Sequence, residues 1–167
     1  IQVNTWGHSM TSGIPTIDYF ISSKLFEIDK SQDFYTEKLI KLNSLGTYYL
    51  KEYEDFSKFK SKEELKLPLN CNIISCLQNT RKINFVFLQV INEILNKVPN
   101  TKILLCNVIN KEIKKRINKI LNNRVIYIGE CDSLVYNSFL YNSDLIMDSY
   151  PFGGCNSSLE SLSMGKI

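Results

Sequence analysis

From Asn72 onward, short apolar runs alternate with apolar stripes at helical spacing. The runs are Ile73–Leu77, Lys102–Cys106, Val125–Ile128 and Leu145–Asp148. Near-continuous apolar character is what a strand covered on both faces requires. Between the first two runs, a helix from about Asn84 to Val98 sets Phe87, Ile91, Ile94, Leu95 and Val98 on one face, and Pro99-Asn100 stops it. A second helix, roughly 110–122, carries Ile113, Ile117, Ile120 and Leu121 toward the core. Its Lys111, Lys114, Lys115, Arg116 and Lys119 fall mostly on the other face, the pattern of a solvated amphipathic helix. Ser133–Tyr141 is the third helix, and a fourth opens near Asn156 and stops at Gly165. Strands alternating with helices of this length predict an α/β fold, a Rossmann-like parallel sheet with flanking helices and right-handed crossovers.

The first forty residues form a unit of their own. Ile1–Trp6 alternates like a strand, and Gly7–Gly13 is a polar loop bounded by glycines. Pro15 suits the first turn of a short helix through Tyr19, and Lys38–Leu42 reads as another strand. From Lys51 to Lys66 charges alternate with scattered Tyr and Phe, up to Pro68. That predicts a surface connection or poorly ordered insert. The expected organisation is 1–42, 43–70 as a connection, and 71–167 as the second α/β domain, truncated at its C-terminus.

Composition narrows the function classes. A net charge of +3 with only three arginines does not suggest a nucleic-acid surface. No run is long and apolar enough for a membrane span, and no signal peptide is visible, so a cytoplasmic protein is expected. The five cysteines show no C-x-x-C spacing and sit mostly in or beside apolar runs. Buried free thiols are expected, not disulfides or zinc.

The chemistry concentrates in Asp148-Ser-Tyr-Pro-Phe-Gly-Gly-Cys-Asn-Ser-Ser-Leu-Glu160. A strand end, a Gly-Gly loop and a helix N-terminus make a ready anion site, because free N–H groups and the helix dipole face the loop. The competing reading is a capping box, S-x-x-E, between Ser157 and Glu160. The carboxyl ends of the other strands carry Gln78–Lys82, Asn107 and Gly129–Cys131, on the edge where open α/β sheets bind ligands. Lys82 suits phosphate oxygens and Glu160 sugar hydroxyls. Neither G-x-G-x-x-G after a strand nor G-x-x-x-x-G-K-[ST] is present, against a dinucleotide oxidoreductase and a P-loop protein. His8, the single histidine, lies in a polar loop, where a solvated role and a functional one are both open.

Three separated motifs resemble one family. Gln2-Val-Asn-Thr-Trp-Gly-His-Ser-Met-Thr-Ser-Gly-Ile-Pro-Thr-Ile-Asp-Tyr19 is similar to the junction segment of O-GlcNAc transferase-like enzymes. Gln78-Asn-Thr-Arg-Lys82 is similar to the Gln-x-x-x-Lys segment of their second domain. Tyr150-Pro-Phe-Gly-Gly-Cys-Asn-Ser-Ser-Leu-Glu-Ser-Leu-Ser-Met-Gly165 resembles the adhesin-modifying bacterial N-glucosyltransferase branch. The resemblance implies a GT-B glycosyltransferase, of which this chain is a fragment holding the end of the first domain and most of the second, the C-terminal half of the fold. By position it implies that Lys82 binds the donor diphosphate with Gln78 nearby. Asn156 and Ser157, behind Gly154, would meet the phosphates, and Glu160 the ribose. Cys131 and Tyr136 would line the base side, and His8 would stand in the active-site loop. Glu160 occupies a position where the family commonly has Asp. Ser133 and Tyr136 align where the O-GlcNAc enzymes carry Lys and His.

The implied function is inverting transfer of GlcNAc or a hexose from a nucleoside diphosphate donor, a UDP-sugar, to a protein or peptide side chain. His8 and Lys82 would be catalytic, and no cofactor or metal is expected. The chain alone is expected to be inactive, because half of the interdomain cleft is absent. The alternatives are a catalytically inactive nucleotide-sugar-binding or protein-interaction module of the same fold, and a non-transferase GT-B enzyme such as a nucleotide-sugar epimerase.

Overall fold

A computed structural model describes residues 1–5, 7–8, 10–48 and 55–166. The chain forms two compact units, Ile1–Leu50 and Lys51–Ile167. In the first, β1 (Val3–Thr5), β2 (Tyr19–Ser23) and β3 (Lys38–Leu42) make a parallel sheet in the order β1-β2-β3. Tyr19 pairs with Val3 on one side and Lys38 on the other. The helix expected at Pro15 is not formed: Pro15 sits in a turn, and the chain enters β2 at Tyr19. Central placement in the sheet, with Phe20 buried, outweighs a local preference for helix. Trp6, the expected end of the first strand, lies outside the described residues.

Glu37 organises this unit. Its side chain, 1% exposed, accepts hydrogen bonds from Thr11 Oγ1 (2.6 Å), Ser12 N (2.9 Å) and Ser12 Oγ. Those donors, Ser12 first and then Thr11, favour the ionised carboxylate and hold its pKa at about 2, against an ordinary 4.5.

The second unit is a four-stranded parallel sheet in the order β6-β5-β4-β7. Its strands are β4 (Asn72–Cys76), β5 (Thr101–Cys106), β6 (Val125–Ile128) and β7 (Leu145–Ile146). β4 pairs with β5 from Asn72↔Thr101 to Cys76↔Leu105, but with β7 only at Ile74↔Leu145 and Ser75↔Ile146. The helices are α1 (Phe85–Lys97), α2 (Lys111–Ile120), α3 (Ser133–Tyr141) and α4 (Asn156–Ser163). This is the parallel, Rossmann-like arrangement the sequence predicts.

Each face of the sheet has its own core. Phe87, Leu88, Ile91 and Leu95 of α1, with Ile117 of α2 and Leu121 just after it, cover Ile74, Ile103 and Leu105. On the opposite face Phe139 and Leu140 of α3, with Met164 just past α4, cover Ile73, Leu77, Leu104 and Ile128. Two stripe positions differ from expectation. Ile113 is 49% and Val98 44% exposed, while Leu88 is buried. Ile113 stands in the first turn of α2 and is not part of the core cluster. Only Cys76 and Cys106 are buried thiols; Cys131 and Cys155 are free but exposed, because each lies in a loop beyond its strand.

The expected surface connection is corrected for residues 55–68, which belong to the packing of the second unit. Phe56 stacks on Tyr141 of α3 with ring centroids 5.0 Å apart, and Phe59 meets the same ring edge-on at 5.4 Å. Lys60 N donates to Ser138 Oγ at 3.0 Å, and Asn142 Nδ2 donates back to Lys60 O at 2.8 Å. Leu67, 4% exposed, closes the core. The alternating charges are the solvent-facing half of a strap whose aromatics face inward. Residues 49–54 lie outside the described residues.

Candidate functional site

The carboxyl edge of the second sheet brings two segments together that are far apart in sequence. After β4 the chain turns through Gln78 and Asn79 into a short 3-10 helix, Thr80–Lys82, capped by Asn79 Oδ1 accepting from Arg81 N at 3.0 Å. Gln78 is only 7% exposed, and its Nε2 donates to Ser157 Oγ of α4 at 2.7 Å. Lys82 Nζ donates to Gly153 O at 2.7 Å and lies 4.6 Å from the Phe152 ring centroid. Asn84, the N-cap of α1, donates from Nδ2 to Tyr150 O at 2.8 Å. Two side chains from one segment, Lys82 and Asn84, thus hold the loop that precedes α4, and a third, Gln78, holds the helix itself.

The loop is also held from its own strand. Asp148 Oδ1 accepts from Ser149 N (2.9 Å) and Gly154 N (2.6 Å), and Asp148 Oδ2 accepts from Ser158 Oγ (2.9 Å). Ser149 Oγ donates to Phe152 O at 2.7 Å, and the Tyr150–Pro151 bond is cis. Gly154 is required by close approach: a Cβ there would stand 2.9 Å from Gln78 Cδ and inside contact distance of Gln78 Nε2 and Ser157 Oγ.

The capping box is not formed. The N-cap of α4 is Cys155, with no side-chain bond, and Ser157 lies inside the first turn with its hydroxyl accepting from Gln78. The other α-helices do carry side-chain caps, from Asn84, Asn110 and Asp132. A tertiary partner has therefore displaced the local S-x-x-E pattern. The first-turn N–H groups of α4 have no side-chain cap, and the Lys82 ammonium lies against the loop they follow.

Gln78, Gly154 and Ser157 are packed against one another, and Lys82 joins them through the neighbouring Gly153 carbonyl. Asn156 is the exposed first residue of α4, next to them in sequence. Glu160 is half-buried one turn further on, and its carboxylate makes no hydrogen bond among the described residues. Tyr136 donates to Leu77 O at 3.4 Å. Burial, and then the Glu160 charge, push its phenol well above the ordinary range. A cavity of about 190 Å³ lies between α3 and α4, lined by Leu77, Gln78, Tyr136, Met147, Ser157 and Ser161 among others. Cys131 is exposed after β6 and does not line that cavity. His8 is exposed in a turn of the first unit.

Burial pushes Cys76 up to about 12 and raises Cys106, Cys131 and Cys155 above the usual thiol range. A thiol in that state is a poor nucleophile. Among the described residues no group of three or more His, Cys, Asp or Glu could hold a metal ion. No helix among them is long and apolar enough to cross a membrane.

Sequence reasoning assigned no role to Asp148, Asn84 or Glu37. Asp148 carried a legible signal, an acid at the carboxyl end of a strand just before a Gly-Gly loop. Its three donors are visible only in the fold.

No protein-family model matches the sequence, and no curated protein does. Solved structures do. A Lys→Met mutant of the O-GlcNAc transferase of Thermobaculum terrenum aligns with 99% of this chain at a TM-score of 0.79 and 20% identity. The chain spans 32% of that enzyme. WaaG, a glycosyltransferase involved in lipopolysaccharide biosynthesis, aligns with 94% of the chain, which spans 44% of it (TM-score 0.61, 13% identity). HepE of Anabaena, solved in complex with UDP and glucose, aligns with 90% of the chain, which spans 43% of it (TM-score 0.56, 16% identity). The chain shares the fold of these GT-B glycosyltransferases.

Proposed function

We propose that this chain supplies the donor side of a glycosyl transfer reaction, holding a nucleoside diphosphate sugar at the carboxyl edge of its second sheet. The observation that carries the reading is the convergence of the Lys82 ammonium and the first turn of α4 on one Gly153–Gly154 loop. An ammonium has three donors. The Gly153 carbonyl takes one, and two remain for diphosphate oxygens. A charge-assisted hydrogen bond to a phosphate contributes about 1.5–3 kcal/mol, against about 0.3–1 kcal/mol for a helix dipole. Lys82 is therefore the larger contributor, and α4 orients what Lys82 attracts.

In the proposed reaction, a hydroxyl or amide of a protein side chain gives up its proton to a base and attacks the anomeric carbon, with inversion, as the bond to the diphosphate breaks. The electron pair leaves with the diphosphate, and Lys82 and the α4 N-terminus stabilise the charge where it develops. Gln78, Gly154, Asn156 and Ser157 hold the phosphates in this reading. Glu160 accepts from the ribose, and Tyr136 and Cys131 face the base. His8 serves turnover in this reading. UDP and glucose in one neighbour of this fold, and the O-GlcNAc transferase name of another, support a UDP-sugar carrying a hexose or GlcNAc as donor.

The test is to supply the intact protein with UDP-GlcNAc or UDP-glucose and a peptide acceptor. UDP release matched by a hexose or N-acetylhexosamine mass increment on the peptide is expected. Release of a free hexosamine epimer without acceptor would identify an epimerase instead. UDP binding without turnover of any donor would leave a binding module.

A further inference from the structure

We propose that Asp148 is the positioning residue of this loop. With both oxygens engaged by donors of the protein itself, its carboxylate sets the distance between Lys82 and the first turn of α4. The inference rests on the reading of that loop as a diphosphate site.

Asp148 stands just past β7, and its two oxygens reach three parts of the fold. Oδ1 fixes Ser149 N and Gly154 N, and Oδ2 fixes the Ser158 hydroxyl in the first turn of α4. The fit leaves little room: a Cβ on Gly153 would stand 3.0 Å from Oδ2. Lys82 grips the same loop from the other segment, through Gly153 O. One carboxylate thus ties strand end, loop and helix to the backbone segment on which the lysine rests.

The charges are arranged to match. An Asp beside a Lys would ordinarily pair with it and cancel the cation an anionic ligand needs. Among the described residues the two ion pairs are Ile1–Asp18 and Lys62–Asp144, so Lys82 and Asp148 are not paired. Asp148 is occupied by three neutral donors, while Lys82 meets a carbonyl and a ring face. The lysine keeps its positive charge for a ligand, and the aspartate acts on geometry. Displacing a charged group by about 1 Å is enough to cost on the order of 100-fold in rate.

The experiment is calorimetric titration of the intact protein and its variants with UDP and with uridine, alongside thermal unfolding. Asp148→Ala is expected to weaken UDP by about tenfold or more, since several bonds of about two- to tenfold each are lost. Uridine, which lacks the diphosphate, should stay within about twofold. Asp148→Asn keeps an oxygen for Gly154 N and should restore UDP binding to within about threefold of the unaltered protein. Ser158→Ala removes a single bond on the surface side of the loop and should weaken UDP about two- to tenfold. It carries the test if Asp148→Ala does not fold. UDP and uridine falling together in step with the melting temperature would reduce Asp148 to a structural residue and overturn the inference. So would unchanged UDP binding in Asp148→Ala or Ser158→Ala, or failure of Asn to restore it. Absence of UDP binding by the unaltered protein would remove the diphosphate-site reading itself, and this inference with it.

Discussion

Gly154→Ala tests whether the loop is seated against Gln78 as closely as the geometry indicates. The added Cβ would lie 2.9 Å from Gln78 Cδ and closer still to Gln78 Nε2 and Ser157 Oγ. A flexible surface side chain would swing away. Gln78 is 7% exposed and bonded to Ser157 at 2.7 Å, so it must move against packed neighbours and break that bond. Overpacking of this kind costs about 1–3 kcal/mol, and the lost hydrogen bond about 1 kcal/mol more. The variant should therefore lose about 2–4 kcal/mol, which at ~4 °C per kcal/mol is roughly 10 °C in Tm. Gln78→Ala removes both the obstruction and the bond. In that background the extra methyl should fit, and Ser157 is free to rotate. The double mutant should thus be no less stable than the two singles predict and better by at least about 1 kcal/mol. Thermal and urea unfolding of the four proteins measures this coupling. Additivity within about 0.5 kcal/mol would show that Gly154 does not rest on Gln78, and the site would need to be redrawn.

Lys82→Ala should lower UDP affinity by about 10- to 150-fold, the worth of one charge-assisted bond. Uridine affinity should be unchanged and turnover should fall further than affinity, because the contact strengthens as the leaving group charges; comparing the two ligands and kcat checks it. In the first unit, the Glu37 carboxylate has a folded pKa of about 2 against an ordinary 4.5. Its contribution is therefore complete above about pH 4.5 and lost as pH falls toward 2. Glu37→Gln should remove that acid-side loss, as read from Tm between pH 5 and pH 2. Leu67→Ala should destabilise the second unit by about 2–4 kcal/mol, read from its urea midpoint, since a fully packed side chain leaves a cavity. A loss below about 0.5 kcal/mol, the usual range of surface changes, would return the 55–68 strap to the status of a linker.

The alternation of strand and helix was legible because both periods are local. Ile73–Cys76, Ile103–Cys106 and Val125–Ile128 need no partner to announce a strand covered on both sides. Helix starts could be placed near Asn84, near 110 and at Ser133 from the apolar stripes alone, although the caps Asn84, Asn110 and Asp132 went unread. What failed was long-range. Ser157 and Glu160 fit a capping pattern, but the hydroxyl is claimed by Gln78, 79 residues away. Pro15 suggested a helix because nothing nearby discloses that Tyr19 will lie in the central strand of a sheet. In the 55–68 strap, the inward aromatics Phe56 and Phe59 were hidden among charges, and Tyr141, the ring they pack on, lies over 80 positions downstream. The motif residues around Lys82 and Gly154 could be named in sequence, but the bonds that join them could not.

The brevity of β7 bears on how the protein breathes. It is joined to β4 at only two residue pairs, whereas β4 and β5 share five. Proteins open in cooperative patches, and an element with few ladder bonds opens at a smaller free-energy cost than a central one. The patch from Leu145 through Ser163 should therefore exchange its amide hydrogens by sub-global opening, while Ile103–Leu105 exchange only when the whole unit unfolds. A ligand that bridges Lys82 and α4 would close this patch, so part of its intrinsic affinity would go into ordering its own site. Occupancy should then slow exchange most in the segment that is otherwise first to open.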